Sequence, residues 1–145
     1  MLDLALAIAH HFLVFGLFGV LCAELIAVRR GLDHPTVVKV AAVDLWYGVL
    51  AGLIIVVGFG RAVYAAKGWA YYSHNGFFWA KIGVFAVIGI LSAPPTIAYV
   101  RWKRTGGAPT EVQVAAVRRY LWLEIVLFAL LPAFAAAMAR GYGEF

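Results

Sequence analysis

The sequence predicts an all-α integral membrane protein, an up-down four-helix transmembrane bundle in which residues 1–145 form a single domain. Three observations predict it. Of 145 residues, 65% are hydrophobic and 13% charged, whereas about a quarter of an ordinary soluble domain is charged. Four apolar runs fill the chain, each at least as long as the roughly 20 residues a helix needs to cross a bilayer. The Lys and Arg residues that give the chain its net charge of +5 cluster in the short segments between those runs, where they act as topology signals and form no basic face for nucleic acid.

The first span is expected at about residues 4–28. Its opening, "MLDLALAIAHHF", has no positive n-region and no small-residue cleavage site, so it reads as a retained helix. Arg29, Arg30 and Gly31 end it. The second span, about 36–66, opens near Pro35, since proline suits a first helical turn. "KGWAYYSHNG" reads as the loop to a third span at about 77–102, with Asn75 as its N-cap. "KRTGGAPTEVQ" leads into the fourth, about 110–140, where Thr110 and Gln113 have capping-box spacing. The single cysteine, Cys22, excludes an intrachain disulfide.

Arg29, Arg30, Lys39, Arg101, Lys103, Arg104, Arg118 and Arg119 belong to the first and third loops or the adjoining helix ends. Only Arg61, Lys67, Lys81 and Arg140 lie toward the other side. The positive-inside rule then makes those two loops cytoplasmic and puts both termini outside. Trp69, Tyr71, Tyr72, Phe77, Phe78 and Trp79 would form an outer aromatic belt, with Tyr99, Trp102, Tyr120 and Trp122 as the inner one.

Ionisable groups at membrane depth are costly and mark functional sites by default. An outer layer would hold His10, His11, Arg61 and Lys81, and an inner layer Glu24, Asp44 and Glu124 with Arg118 and Arg119 nearby. At about 100° per residue, His10 and Glu24, fourteen positions apart, differ by only about 40°, whereas His11 points about 100° away from His10. His10 therefore shares a face with the interior acids. Asp44, Tyr47, Gly48, Ala51, Ile55, Gly58 and Ala62 stripe the second helix, and Lys81, Phe85, Ile88, Ser92, Pro95 and Tyr99 the third. "SAPPT" removes two backbone donors, leaving carbonyls for Ser92, Thr96 or a ligand to satisfy.

These residues also have plainer uses. A histidine in an apolar helix is often a hydrogen-bonded structural residue, Lys81 can snorkel to the interface, and the three acids can pair with Arg118 or Arg119 to tie helices together. Gly16, Gly19 and Ala23 read as packing contacts.

The early histidine, "FFWAKIGVFAVIG" and "RRYLWLEIVLFALL" together resemble the four-helix membrane protoporphyrinogen oxidases of the HemJ type. That resemblance implies haem b as cofactor and assigns activity to His10 or His11, Lys81, and Glu124 with Arg118 or Arg119. Leu123 departs from the asparagine that pattern carries before its glutamate. With its histidine-rich start and "DLWYG" in the second helix, most of the chain is more closely similar to the bacterial membrane family called domain of unknown function 2214.

Three functions follow as expectations. The first is a haem- or porphyrin-binding redox protein. His10 or His11 would be its metal ligand, Lys81 or Arg61 would meet a propionate, and the second ligand would be His74 from the outer loop, a residue such as Tyr64 or Lys81, or nothing, which leaves a position open for substrate. Its electrons would pass to a quinone or a membrane partner, since no nucleotide-binding fold is present. The second is a non-catalytic subunit or assembly factor in a membrane complex, or a homo-oligomer. The third is a proton or small-solute pathway along His10, Glu24, Asp44 and Glu124. All three place the chain in a lipid bilayer.

Overall fold

The computed structural model describes residues 2–64 and 67–145. Its helices are α1 (Leu2–Ala27), α2 (His34–Tyr64), α3 (Gly68–Ser73), α4 (Gly76–Thr105), α5 (Glu111–Phe128) and α6 (Leu130–Ala139), and no strand forms among the described residues. α1, α2, α4 and the α5–α6 unit are each long and apolar enough to cross a membrane. They match the four expected spans with ends shifted by one to three residues; residues 65 and 66 of the expected second span lie outside the described residues.

Local chemistry explains the ends. Asp33 caps α2, its carboxylate accepting the Thr36 N–H at 3.0 Å, so Pro35 falls in the first turn where a missing N–H is harmless. Asn75 caps α4 by accepting from the Phe77 and Phe78 amides, and Gly106 at φ 70° ends that helix. Thr110 and Gln113 form the reciprocal capping box that opens α5. Ala129 divides α5 from α6 yet keeps helical dihedrals, φ −62° and ψ −21°. The interruption is a missing hydrogen bond, because Pro132 has no N–H for the Phe128 carbonyl.

Pro94 and Pro95 leave α4 unbroken. The expected local repair does not form at the freed carbonyls, which are those of Ile90 and Leu91. Ser92 instead donates to the Gly89 carbonyl at 2.8 Å, and Thr96 turns away to another helix.

Around the bundle the order is α1, α2, α4, α5 and back to α1, so α1 and α4 face each other across one diagonal and α2 and α5 across the other. α1 packs against α5 and not against α6. The core runs down this ring through Leu17, Leu21, Ile54, Ile88, Tyr99, Leu121 and Phe128, while Phe12, Phe15, Trp46 and Val56 point outward, as a lipid-facing surface requires. One exposed ion pair, Arg30 to Glu111 at 3.7 Å, joins the first and third loops at the end here called the loop end. At the opposite, terminal end the C-terminal tail is fastened to the start of α4. Asn75 Nδ2 donates to the Tyr142 carbonyl at 3.0 Å, the Gly76 N–H to Gly143 and the Phe145 N–H to His74.

Several expectations change. The second loop contains α3, whose aromatic residues pack on α4 as well as face outward, Trp69 lying edge-on to Phe78 and Trp79. Tyr99 and Trp102 are buried core residues and not members of an inner belt, because the face of α4 that carries them points at the axis. Gly16 packs against Leu50, but Gly19 has open space beside it and Ala23 is exposed. On α2 the buried residue is Ile54, with Ile55 half exposed.

Candidate functional site

The polar residues inside the bundle form two separate groups. In the loop half lie three buried acids, Glu24 on α1, Asp44 on α2 and Glu124 on α5, exposed by 2%, 8% and 1%. Each accepts a hydrogen bond from a hydroxyl on another helix. Tyr99 Oη donates to Glu24 Oε2 at 3.4 Å, Thr96 Oγ1 to Asp44 Oδ1 at 2.9 Å, and Tyr47 Oη to Glu124 Oε2 at 3.0 Å.

Helix geometry sets these pairs in order. Thr96 and Tyr99 are three residues apart on α4, and Asp44 and Tyr47 three apart on α2, so each step is about 4.5 Å along the axis. Glu24–Tyr99 is thus the lowest rung from the loop end, Asp44–Thr96 the next and Tyr47–Glu124 the highest. The first and last cross the two diagonals of the bundle. Glu24 Oε1 and Glu124 Oε1 are buried with no partner, as is Trp102 Nε1 one turn below Tyr99.

The arginines expected to neutralise these acids are engaged elsewhere or lie outside. Arg118 Nη1 donates to the Leu25 carbonyl at 2.8 Å and to the Val28 carbonyl. It therefore satisfies the free carbonyls at the end of α1, where a cation also suits the helix dipole. Arg119 is exposed. Among the described residues no ion pair includes Glu24, Asp44 or Glu124, so the expected ion-pair network is replaced by acid–hydroxyl pairing.

In the terminal half, His10 turns inward against α2. A Cβ built on Gly58 would stand 3.3 Å from His10 Cε1, so the bare glycine backbone makes room for the imidazole. Arg61 and Lys81 lie within Coulombic range of that ring and of each other, both half-buried. His10 Nδ1 and Arg61 Nε are buried without a hydrogen-bond partner. Among the described residues no carboxylate pairs with Arg61 or Lys81.

His11 is exposed, its Nδ1 bonded to the Ala7 carbonyl at 2.6 Å. His74 is also exposed, its Nδ1 bonded to the Ala70 carbonyl at 2.8 Å, with its ring against Phe145. No group of three metal-binding side chains forms among the described residues. Lys81 stands fifteen residues, about 22 Å, along α4 from Thr96, so it and Glu124 do not converge on one point. Between the two groups, Leu17, Ile54, Ile88 and Phe128 fill the axis. A groove of about 560 Å³ runs between α2 and α4, lined by Ala41, Asp44, Gly48, Ala51, Gly89 and Ser92 among others. Small side chains on both helices leave it open, at the level of the acids and not of His10.

Sequence reasoning placed His10 inward and the acids together but passed over the hydroxyl donors. The signal was present in the spacing. Asp44 with Tyr47, and Thr96 with Tyr99, stand at i and i+3 and so share helix faces.

A two-tier polar interior within four apolar spans defines an integral membrane protein with buried ionisable sites. The chain belongs to the family described as predicted membrane protein DUF2214, whose model matches residues 2–143. Neither the curated proteins nor the solved structures give a match.

Proposed function

We propose that this membrane protein binds a haem or porphyrin in the terminal half of its bundle and serves electron transfer or porphyrin oxidation. His10 is the nitrogen donor, and Arg61 and Lys81 receive the anionic side chains of the ring. The observation that carries the reading is the buried, unpartnered Nδ1 of His10 beside two cations with which no carboxylate pairs among the described residues. Buried polar atoms are nearly always bonded, so this group lacks an anionic partner with a metal or N–H to offer. The donor set suits haem b with one protein ligand or a metal-free porphyrin, since His74 is bonded within its own segment.

Haem would supply a one-electron redox centre. The chain's own residues would do the rest. Gly58 gives the imidazole its space, Arg61 and Lys81 orient the carboxylates, and the apolar plug at Leu17 and Phe128 keeps water out of the terminal half from below. A quinone or a membrane redox partner is the electron acceptor that fits a chain without a nucleotide-binding fold. The likeness to HemJ-type oxidases in the segments around His10, Lys81 and Glu124 points the same way, and a bacterial inner membrane with both termini outside suits it. The test is the optical spectrum of protein purified after expression with ample haem. A stoichiometric Soret band is expected; protein free of tetrapyrrole overturns the reading.

A second reading, a subunit that associates with other chains or with its own copies, has its own observation. Gly48 and Gly52 stand four apart on α2, both exposed with open space beside them, the spacing at which transmembrane helices approach closely. Replacing both with leucine lowers the oligomeric mass in detergent if this face associates.

A further inference from the structure

The acids of the loop half are not used by the haem reading and carry an inference independent of it. We propose that Glu24, Asp44 and Glu124 form a proton-holding site, a closed well in which at least one carboxyl is kept neutral.

The partners of the three acids point to a proton. Every side-chain donor they receive is a neutral hydroxyl: Tyr99 on α4 for Glu24, Thr96 on α4 for Asp44 and Tyr47 on α2 for Glu124. Of the two cations on α5, Arg118 is bonded to the α1 carbonyls and Arg119 is exposed. Three unneutralised carboxylates within Coulombic reach of one another in a low-dielectric interior would repel strongly and lose their hydration, and protonation is the ordinary relief.

The unpartnered atoms point to water. Glu24 and Glu124, at 2% and 1% exposed, each leave Oε1 without a partner, and Trp102, at 3% exposed, leaves its indole N–H. An indole N–H can only donate, and a neutral carboxyl offers both an O–H and an acceptor. A water between Trp102 and Glu24, and a chain of waters that passes Asp44 between the two glutamates, satisfy all three. Rungs about 4.5 Å apart along the axis lie within the span of a single bridging water.

The well is closed above. Leu17, Ile54, Ile88 and Phe128 lie between Glu124 and the His10 group, and all are buried and apolar. Glu24 and His10 are fourteen residues, about 21 Å, apart along α1, and the highest acid covers less than half of that. A continuous path to His10 therefore does not exist in this arrangement; on the loop-end side Val28, Val37, Val114 and Val117 are buried and apolar as well, and the groove between α2 and α4 reaches Asp44 and Thr96.

Infrared spectroscopy of the full-length protein in lipid nanodiscs at neutral pH tests this directly. The expected result is a carbonyl-stretch band of a neutral carboxylic acid that shifts in heavy water and is lost or halved in Glu24→Gln or Glu124→Gln. Glu111→Gln, at an exposed site, leaves it unchanged. If a glutamine variant fails to fold, the wild-type band and its heavy-water shift still decide. Absence of the band in folded wild-type protein at neutral pH overturns the proposal. So does its disappearance on adding sodium at constant ionic strength, which would make the site a cation site.

Discussion

Tyr47 on α2 donates to Glu124 on α5 at 3.0 Å, although these helices sit on opposite corners of the bundle and have no backbone contact. Tyr99 and Glu24 do the same on the other diagonal. The two bonds therefore link α2 with α5 and α1 with α4, pairs that side-by-side packing leaves unlinked. They meet near the axis because a tyrosine is long enough to span from a helix to the centre, where a glutamate from the far corner completes the reach. Removing the hydroxyl should expose that role. Tyr47→Phe keeps the ring and deprives a buried carboxyl of its donor, a loss worth about 1–3 kcal/mol. Thermal unfolding in detergent is expected to show a clear drop for Tyr47→Phe and none for Tyr64→Phe, whose side chain is 68% exposed. Equal midpoints would mean that the diagonal bond adds no stability.

Asn75 joins two functions that one substitution can separate. Its side-chain oxygen caps α4, and its amide nitrogen holds the Tyr142 carbonyl. Asn75→Asp retains the cap acceptor and loses the donor, whereas Asn75→Ala loses both. The alanine variant is expected to lose about 1–2 kcal/mol from the cap, and both variants should release the C-terminal tail to limited proteolysis. Gly143→Ala should free the tail by a different route. Its φ is 83°, and its new Cβ would stand 2.6 Å from Phe77 Cδ2.

The contrast between Asn75 and Tyr99 shows what a sequence can reveal of such a fold. Caps at Asn75 and Thr110 are legible because the donor and acceptor lie within four residues of each other. The inward face of His10 is legible because it follows from helical phase relative to Glu24. Which hydroxyl meets which acid depends on the ring order of helices, and short loops fix neighbours without fixing diagonals. α3 was hidden for another reason. Six residues dominated by aromatics have no helical period to read, and the helix is held by packing of Trp69 and Tyr72 on Phe78. Arg118 was misread because an arginine near acids suggests an ion pair, while the unsatisfied carbonyls at the end of α1 offered it a nearer partner.

The charge asymmetry between the two ends predicts an orientation with both termini outside. With Cys22 replaced, Glu144→Cys should react with a membrane-impermeant thiol reagent applied to intact cells, and Thr105→Cys should not. Both positions are exposed in the structure, so burial would not mask the result. The reverse pattern would put the His10 group near the cytoplasm and the acids near the outside.

At the loop end, Asp33 predicts a small acid sensitivity. Hydrogen bonding from Thr36, by its side chain and its amide, holds this exposed carboxyl below its ordinary value. A group with a lowered folded-state value stabilises the fold at pH above its unfolded value, and that contribution is lost as pH falls through the folded one. Acid titration of the unfolding midpoint should therefore show a shallower fall in Asp33→Ala than in the wild type below the ordinary carboxylate range. Identical slopes would mean that fraying of the first turn of α2 does not affect global stability.

The two adjacent histidines give the sharpest separation, because neighbours on a helix point about 100° apart and here meet opposite surroundings. His10 faces Gly58, Arg61 and Lys81 with its Nδ1 unpartnered. His11 faces outward and is already bonded to the Ala7 carbonyl. If a tetrapyrrole is held in the terminal half, His10→Ala should abolish bound haem and the Soret band, and His11→Ala should leave both in place. Gly58→Leu provides a second route, since a bulky side chain where a Cβ alone would stand 3.3 Å from the imidazole must push His10 from its position. Haem content should fall in that variant with His10 still present. Loss of haem in His11→Ala alone would put the ligand on the outward face of α1 and leave the inward group of His10, Arg61 and Lys81 without the ligand proposed for it.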